Sequence, residues 1–554
     1  MKLKLKPATG LHWKYWLRIT FMPILARVGR LLGASWRSLG KQLGRETLLA
    51  QGAFVRIRQS EQEISEEKLD VIFLTMLGGH THNVSVDVVL GLALRARGHR
   101  VRFVVCDQHL PLCEVKRAEQ SHSWDASCAK CWAFGSRYLS SFGFEVLPLS
   151  TLVADEHADD DWSEYVEASL LKHYRVGILD ENAEVAQRRA LFAESARMSA
   201  AAARSIIAMQ SDRVIMSHGI YSTWGPALSL LSQANVPTVT YAKGKRRSTQ
   251  KFNWNTSSDW WDVSAEWQRV RDVPLLPEQE QQLDDYLNSR RKHSQDTLVY
   301  NFGEEESIAD TWSRLDLDSD KPTCVLFTNV LWDAASAQRE IVFENPVDWV
   351  LQTIQWFSQR PDRQLVVKIH PAECVIGTKQ PFAGLIGSRY PQLPTNVRLI
   401  QPTEQVNSWS IMQIADLGVV HTSTIGMELP LDGIPCAVVA ATHFRDKGFT
   451  IDVEDKNLYF ELLEQLGSTD WDVIHAEKLA RRYAYLLFER YQLPWPFFLE
   501  VEHTDVRALN FSSSSDLLES RTMRTLVNAV EQQEDFLLPT AKSMDQSRAP
   551  AVVQ

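Results

Sequence analysis

A chain of 554 residues that is 44% hydrophobic and 23% charged is too long for one core and too apolar for a disordered one, so two α/β domains with appendages are expected. Its net charge of −10 is uneven: residues 1–60 carry 12 Lys and Arg against Glu46 alone, which leaves −21 on the remainder. The acidic body excludes general nucleic-acid binding, while the basic segment suits an anionic surface.

Between residues 11 and 40, Trp13, Trp16, Phe21, Leu25, Leu32 and Trp36 interleave with Lys14, Arg18, Arg27, Arg30 and Arg37 at near-helical spacing. An aromatic and basic helix of this kind either lies in a membrane interface or packs on protein. No uninterrupted apolar run approaches the ~18 residues of a membrane span, and seven cysteines are too few for a disulfide framework. Residues 70–76 read as the first buried strand, followed by Leu77-Gly78-Gly79-His80-Thr81-His82-Asn83, a helix over 84–97 and a strand over 99–105. The Gly78-Gly79 turn lets a ligand approach the backbone. His80 and His82 would leave the strand's carboxyl end as candidates for a general base, or as phosphate ligands or caps.

Cys106, Cys113, Cys128 and Cys131 follow with the spacing C-x6-C-x14-C-x2-C. They are candidate ligands of a structural zinc or an iron–sulfur cluster, with four reduced thiols as the alternative. Further strands are expected over 145–149, 212–217 and 237–241, and helix over 163–209. The last two strands end at His218-Gly219-Ile220-Tyr221 and at Ala242-Lys243-Gly244-Lys245-Arg246-Arg247. Gly79, His218, Tyr221 and Lys243 are therefore candidates for acceptor binding at one cleft. The basic cluster is either a solvated loop or a clamp for an anionic acceptor such as a phospholipid-linked sugar.

A connecting helix over 273–292 and a polar joint at 316–322 lead to strands over 323–329, 364–369 and 397–400 alternating with helices, which specifies a second doubly wound unit. One strand ends at His370-Pro371, another at Thr422-Ser423-Thr424-Ile425-Gly426-Met427-Glu428. Ligands of open α/β sheets sit at such carboxyl ends. Thr422, Ser423, Thr424 and Gly426 form a hydroxyl-rich turn suited to a phosphate, Glu428 can accept from ribose hydroxyls, and His370 can donate to a phosphate oxygen. The alternative is a capped helix beside a satisfied histidine. Arg445 and Lys447 can neutralise a leaving phosphate, and no Asp-x-Asp stands at a strand end, so no catalytic cofactor is expected.

The ordered set His370-Pro371, Ser423 to Glu428, Gly433-Ile434-Pro435 and Arg445-Asp446-Lys447-Gly448-Phe449-Thr450 resembles the capsule polysaccharide biosynthesis family, over roughly residues 71–498. That family is similar to GT-B glycosyltransferases that include bacterial Kdo transferases. The resemblance implies two Rossmann-like domains facing a cleft: an acceptor domain over 68–315 with a Cys-rich insert, a nucleotide-sugar domain over 320–470 and helices crossing back over 471–534. Charge and polarity at the ends add a basic amphipathic arm over 1–60 and a disordered tail over 535–554. It implies transfer from a nucleotide sugar to a surface polysaccharide or lipid-linked precursor, on the cytoplasmic face of the inner-membrane surface. A nucleotide-alcohol phosphotransferase of teichoic-acid type, or a non-catalytic capsule assembly protein, remains open at this point.

Overall fold

Long apolar runs settle where both faces of a strand are covered, and two sheets are built on them. The computed structural model describes residues 34–57, 68–115, 124–153, 160–292, 295–297, 303–333, 338–468, 471–501 and 505–540. The first sheet contains β1 (Asp70–Met76), β2 (Arg100–Val105), β3 (Glu145–Pro148), β4 (Arg213–Ser217), β5 (Thr238–Lys243) and β6 (Thr249–Trp254). The second contains β7 (Thr323–Phe327), β8 (Gln364–Lys368), β9 (Val397–Ile400), β10 (Leu417–Val420), β11 (Cys436–Val438) and β12 (Ile451–Asp452).

In the first sheet β1 lies between β2 and β4, with Phe73 beside both Phe103 and Ile215. The parallel order is β3-β2-β1-β4-β5, extended by antiparallel β6. The second sheet is parallel throughout, in the order β12-β11-β10-β7-β8-β9. Each therefore reverses its winding between its first and fourth strands, β1/β4 and β7/β10. A doubly wound sheet leaves its ligand crevice at that point, beyond the carboxyl ends. The architecture is the expected one, two Rossmann-like domains facing a cleft in the GT-B manner.

Contacts cross between the domains on both rims. On one, Arg175 donates to Ile376 O at 3.1 Å and Gln380 Oε1 accepts the Gly177 and Ile178 amides. On the other, Lys245 Nζ, from the turn that follows β5, donates to Thr424 Oγ1 at 2.5 Å. The boundary itself differs from the expectation. Helices Ser264–Val270 and Pro277–Arg291 bury Trp267, Leu283 and Tyr286 in the same core as Phe327, Met427 and Phe449 of the second sheet, so the stretch joins the C-terminal domain's packing.

After helix Val473–Tyr485 the chain returns to the first domain. β13 (Leu493–Pro494) pairs with β6, and β14 (Phe498–Val501) with β15 (Asp505–Leu509) forms a hairpin beside it. Helix Arg521–Gln532 docks through Glu531, which accepts from Arg97 at 2.9 Å and meets His99 Nε2 at 2.8 Å. The tail expected from 535 begins later, because Phe536 is buried and stacks on Trp254 at 5.1 Å. The basic arm is likewise not separate along its whole length. Helix Ala34–Ile57 buries Leu48 and Val55, and Gln51 exchanges two hydrogen bonds with the Leu509 main chain. The interfacial pattern over 11–33 lies outside the described residues, among which no helix is long and apolar enough to cross a membrane.

Three local expectations change. The helix over 163–209 breaks into Ser163–Tyr174 and Ala183–Ala208, with Arg175 left-handed at φ 58°. The sequence pattern does not mark β6, because its Thr249, Gln250, Lys251 and Asn253 are polar, yet all four are buried. Gly78 is required by contact: a Cβ there would lie 2.9 Å from the Gly135 Cα of helix Trp124–Ser141.

Candidate functional site

The C-terminal wall of the cleft is organised by Thr328 and Asn329, which continue β7 between β8 and β10. Thr328 Oγ1 accepts the His370 amide at 3.0 Å, and Asn329 holds Thr422 through two bonds, Nδ2 to Oγ1 at 2.8 Å and Oδ1 from the amide at 3.2 Å. Adjacent residues thus draw His370 and the Thr422 turn together at the winding reversal. The His370 ring accepts the Ala372 amide on Nδ1 at 3.1 Å, which places the ring proton on Nε2. Burial, with Lys245 and Lys368 nearby, lowers its pKa to about 4, so it serves as a neutral donor.

Lys245 enters from the opposite domain. The hairpin between β5 and β6 is clamped where Thr297 donates its amide to Lys245 O at 2.7 Å and its hydroxyl to Gly244 O at 3.1 Å. From there Lys245 Nζ donates to Thr424 Oγ1 at 2.5 Å. Burial and the neighbouring Arg290 lower its pKa to about 8. Ser423 is partly exposed in the same turn.

Four expected donor ligands have other employment. Glu428 is buried with Oε1 2.8 Å from Arg290 and its charge acts on Lys245, so it faces protein cations beside the turn. Arg445 commits both terminal nitrogens to main-chain carbonyls, Val438 O at 3.1 Å and Val453 O at 2.9 Å. Lys447 is buried against Ser264. Gly426 serves packing, since a Cβ there would meet Phe444 and Val420 at 2.7 Å.

In the N-terminal wall the two histidines proposed as bases are already engaged. His80 caps helix Thr81–Ala96 by accepting the Asn83 amide on Nδ1 at 3.3 Å, so a neutral ring carries its proton on Nε2 and acts as a donor. His82 is buried with Nδ1 2.8 Å from Glu500 and Nε2 3.0 Å from Gln250. Lys243 pairs with that same Glu500, and the Gly79 amide donates to Cys131 Sγ at 3.0 Å. His218 differs. It sits edge-on to Tyr221 at 5.2 Å and Trp224 at 4.8 Å, is partly exposed, and its buried Nδ1 has no hydrogen-bond partner among the described residues. Burial, then Lys172, lowers its pKa to about 3, keeping the imidazole neutral.

Several cleft residues escaped the sequence reading. Lys172 lies 3.9 Å from the Tyr221 ring centre, and Lys251 Nζ lies 4.0 Å over Trp261 and donates to Asp259 at 3.1 Å. Arg339 stacks at 3.4 Å on Trp260, which is 40% exposed. His443 is stacked between Trp261 and Tyr483 and feels Lys245, Lys251, Lys447 and Arg339. The wall is strongly cationic. Only Lys245 carries a signal in the sequence, as a member of the basic cluster; Lys172, Lys251 and Arg339 stand outside any motif.

The four cysteines do not form the expected cluster. Among the described residues no three His, Cys, Asp or Glu side chains are grouped to hold a metal. Cys113 is buried in apolar packing, Cys106 accepts the Leu110 amide at 3.5 Å, and burial, with Cys106 and Cys128 adding to it, pushes the Cys131 thiol up to about 11.

No family model matches the chain, and no curated protein matches it. Among solved structures it is similar to the Thermosulfurimonas dismutans KpsC beta Kdo 2,4 transferase, at 16% identity over 51% of this chain and 81% of that one, with a TM-score of 0.32. The beta Kdo 2,7 transferase of the same organism's KpsC gives 12% over 59% and 89%, with 0.32. The UDP-GlcNAc 2-epimerase from Neisseria meningitidis, bound to UDP-GlcNAc, gives 13% over 76% and 96%, with 0.24. Likeness at this level assigns no chemistry to the chain, which rests on its own cleft.

Proposed function

We propose that the protein is a glycosyltransferase that moves a sugar from a nucleotide-linked donor to an acceptor hydroxyl. The observation that carries this reading is the meeting of His370, the Thr422 to Thr424 hydroxyls and Lys245 where the second sheet reverses its winding. A neutral N–H donor, hydroxyls and an ammonium around one small space suit a phosphate. The facing wall offers His218, whose Nδ1 has no hydrogen-bond partner among the described residues, to accept the proton of an acceptor hydroxyl, and Trp260 as an exposed aromatic surface for a sugar ring.

The resemblance of the His-Pro and Ser-Thr motifs to the capsule polysaccharide biosynthesis family supports a surface polysaccharide or its lipid-linked precursor as acceptor. The excess of 12 basic residues over one acidic residue in 1–60 supports work at an anionic membrane surface. Isothermal titration of the full chain against CMP, CDP, UDP and GDP tests the reading, with His370→Ala as comparison. One of these should bind, and His370→Ala should weaken it tenfold or more. Binding of none overturns the proposal, and a phosphodiester rather than a glycosidic product would replace it with phosphotransfer.

A further inference from the structure

The cations expected to meet a leaving phosphate, Arg445 and Lys447, are held by the Val438 and Val453 carbonyls and by Ser264. The donor side of the cleft still needs a positive charge, because a departing phosphate gains charge as the glycosidic carbon lets go of it. We propose that Lys245, a residue of the N-terminal domain, is the cation that neutralises the leaving phosphate of a donor held by the C-terminal domain. The inference rests on the glycosyltransferase reading and adds the group that completes it.

Three observations converge on Lys245. Its Nζ reaches the turn held by Asn329, at 2.5 Å from Thr424 Oγ1. Its main chain is fixed by Thr297 and by the Arg246 to Asp296 bridge, while Arg246 donates to Phe488 O at 2.9 Å, so the side chain leaves a rigid hairpin. It is also the cation shared by the electrostatic surroundings of His370 and His443, one on each side of the turn. A phosphate oxygen replacing Thr424 Oγ1 as acceptor would bond Lys245 without moving the backbone.

In the transfer step the bond from the anomeric carbon to the donor phosphate oxygen breaks, and its electron pair stays on that oxygen, facing Lys245 Nζ. The acceptor oxygen forms the new bond to the anomeric carbon, and its proton passes to His218. No oxidant or further reactant is needed. Because cation and turn belong to different domains, the leaving group is neutralised only while the two sheets face each other, which restrains hydrolysis of a donor held by the second domain alone.

The test uses the full chain with Lys245→Met and Lys245→Arg, titrated with whichever of CMP, CDP, UDP and GDP binds and with the matching nucleoside. Lys245→Met should weaken the nucleotide at least tenfold and leave the nucleoside unchanged, and Lys245→Arg should recover most of the loss. With the buried ammonium titrating near pH 8, nucleotide binding by the unmodified chain should take up protons at that pH, read from the buffer dependence of the binding heat, and Lys245→Met should abolish the uptake. Equal nucleotide affinity in Lys245→Met, with its melting temperature preserved, overturns this inference alone. Absence of nucleotide binding by the unmodified chain overturns both it and the reading beneath it.

Discussion

Asn329 and Thr422, 93 residues apart, are bonded twice, amide nitrogen to hydroxyl at 2.8 Å and amide oxygen to main-chain N–H at 3.2 Å. The pair sits beside the Thr328 hydroxyl that fixes His370, so one dipeptide sets the spacing between imidazole and turn. Asn329→Ala should cost about 1–3 kcal/mol of stability, because Asn329 is mostly buried and the Thr422 amide loses its partner. It should also reduce nucleotide affinity tenfold or more. Calorimetric titration beside urea unfolding separates the two effects, and unchanged affinity would mean the turn does not hold the nucleotide.

Gly426 separates packing from phosphate binding. Its missing Cβ would lie 2.7 Å from the Phe444 ring and from a Val420 methyl. Gly426→Ala should destabilise the second domain by about 1–3 kcal/mol, as overpacking does. A variant of full stability that had lost nucleotide binding would restore the phosphate role to the glycine.

Of the imidazoles in the N-terminal wall, His218 and His82 should behave differently. Loss of His218 as base should lower kcat by about 10²–10⁴-fold, with donor affinity kept. His82→Ala removes a buried ring bonded on both nitrogens, to Glu500 and Gln250, so it should lower the melting temperature. Steady-state rates and thermal unfolding on the two variants decide it, and a His218→Ala enzyme of normal kcat rules out the base.

The docking of helix Arg521–Gln532 should depend on pH. Burial would raise the Glu531 carboxyl, but hydrogen bonds from Arg97 and His99 hold it below its ordinary value. A carboxylate so depressed stabilises the docked helix above the ordinary carboxylate range and loses that contribution as pH falls through its folded-state value. Hydrogen exchange over 521–532 should therefore quicken on acidification below the carboxylate range, and Glu531→Gln should remove the dependence.

Chelation should leave the fold unchanged. With Cys131 bonded to the Gly79 amide and Cys113 in apolar packing, no three metal-ligating side chains are grouped for an ion among the described residues. Metal analysis and melting temperature before and after a strong zinc chelator check this. A stoichiometric metal with a chelator-induced fall in melting temperature would show that the cysteines rearrange around one.

The strand runs were legible in the residues alone. Apolar stretches such as 70–76 and 364–369 have one low-energy destination, between covered neighbours, and the crevice at their carboxyl ends follows from that. The use of each polar side chain was not legible, because its partner comes from a distant part of the chain. His82 is claimed by Glu500, 418 positions later, and Lys245 crosses to Thr424, 179 positions later. Arg445, which sits inside a recognisable motif, finds nearby carbonyls. Hydrophobic burial needs only a covered environment, and local pattern predicts that. A hydrogen bond or ion pair needs a particular atom within about 3 Å, and which atom arrives there is settled when the two sheets and the returning C-terminal segment come together.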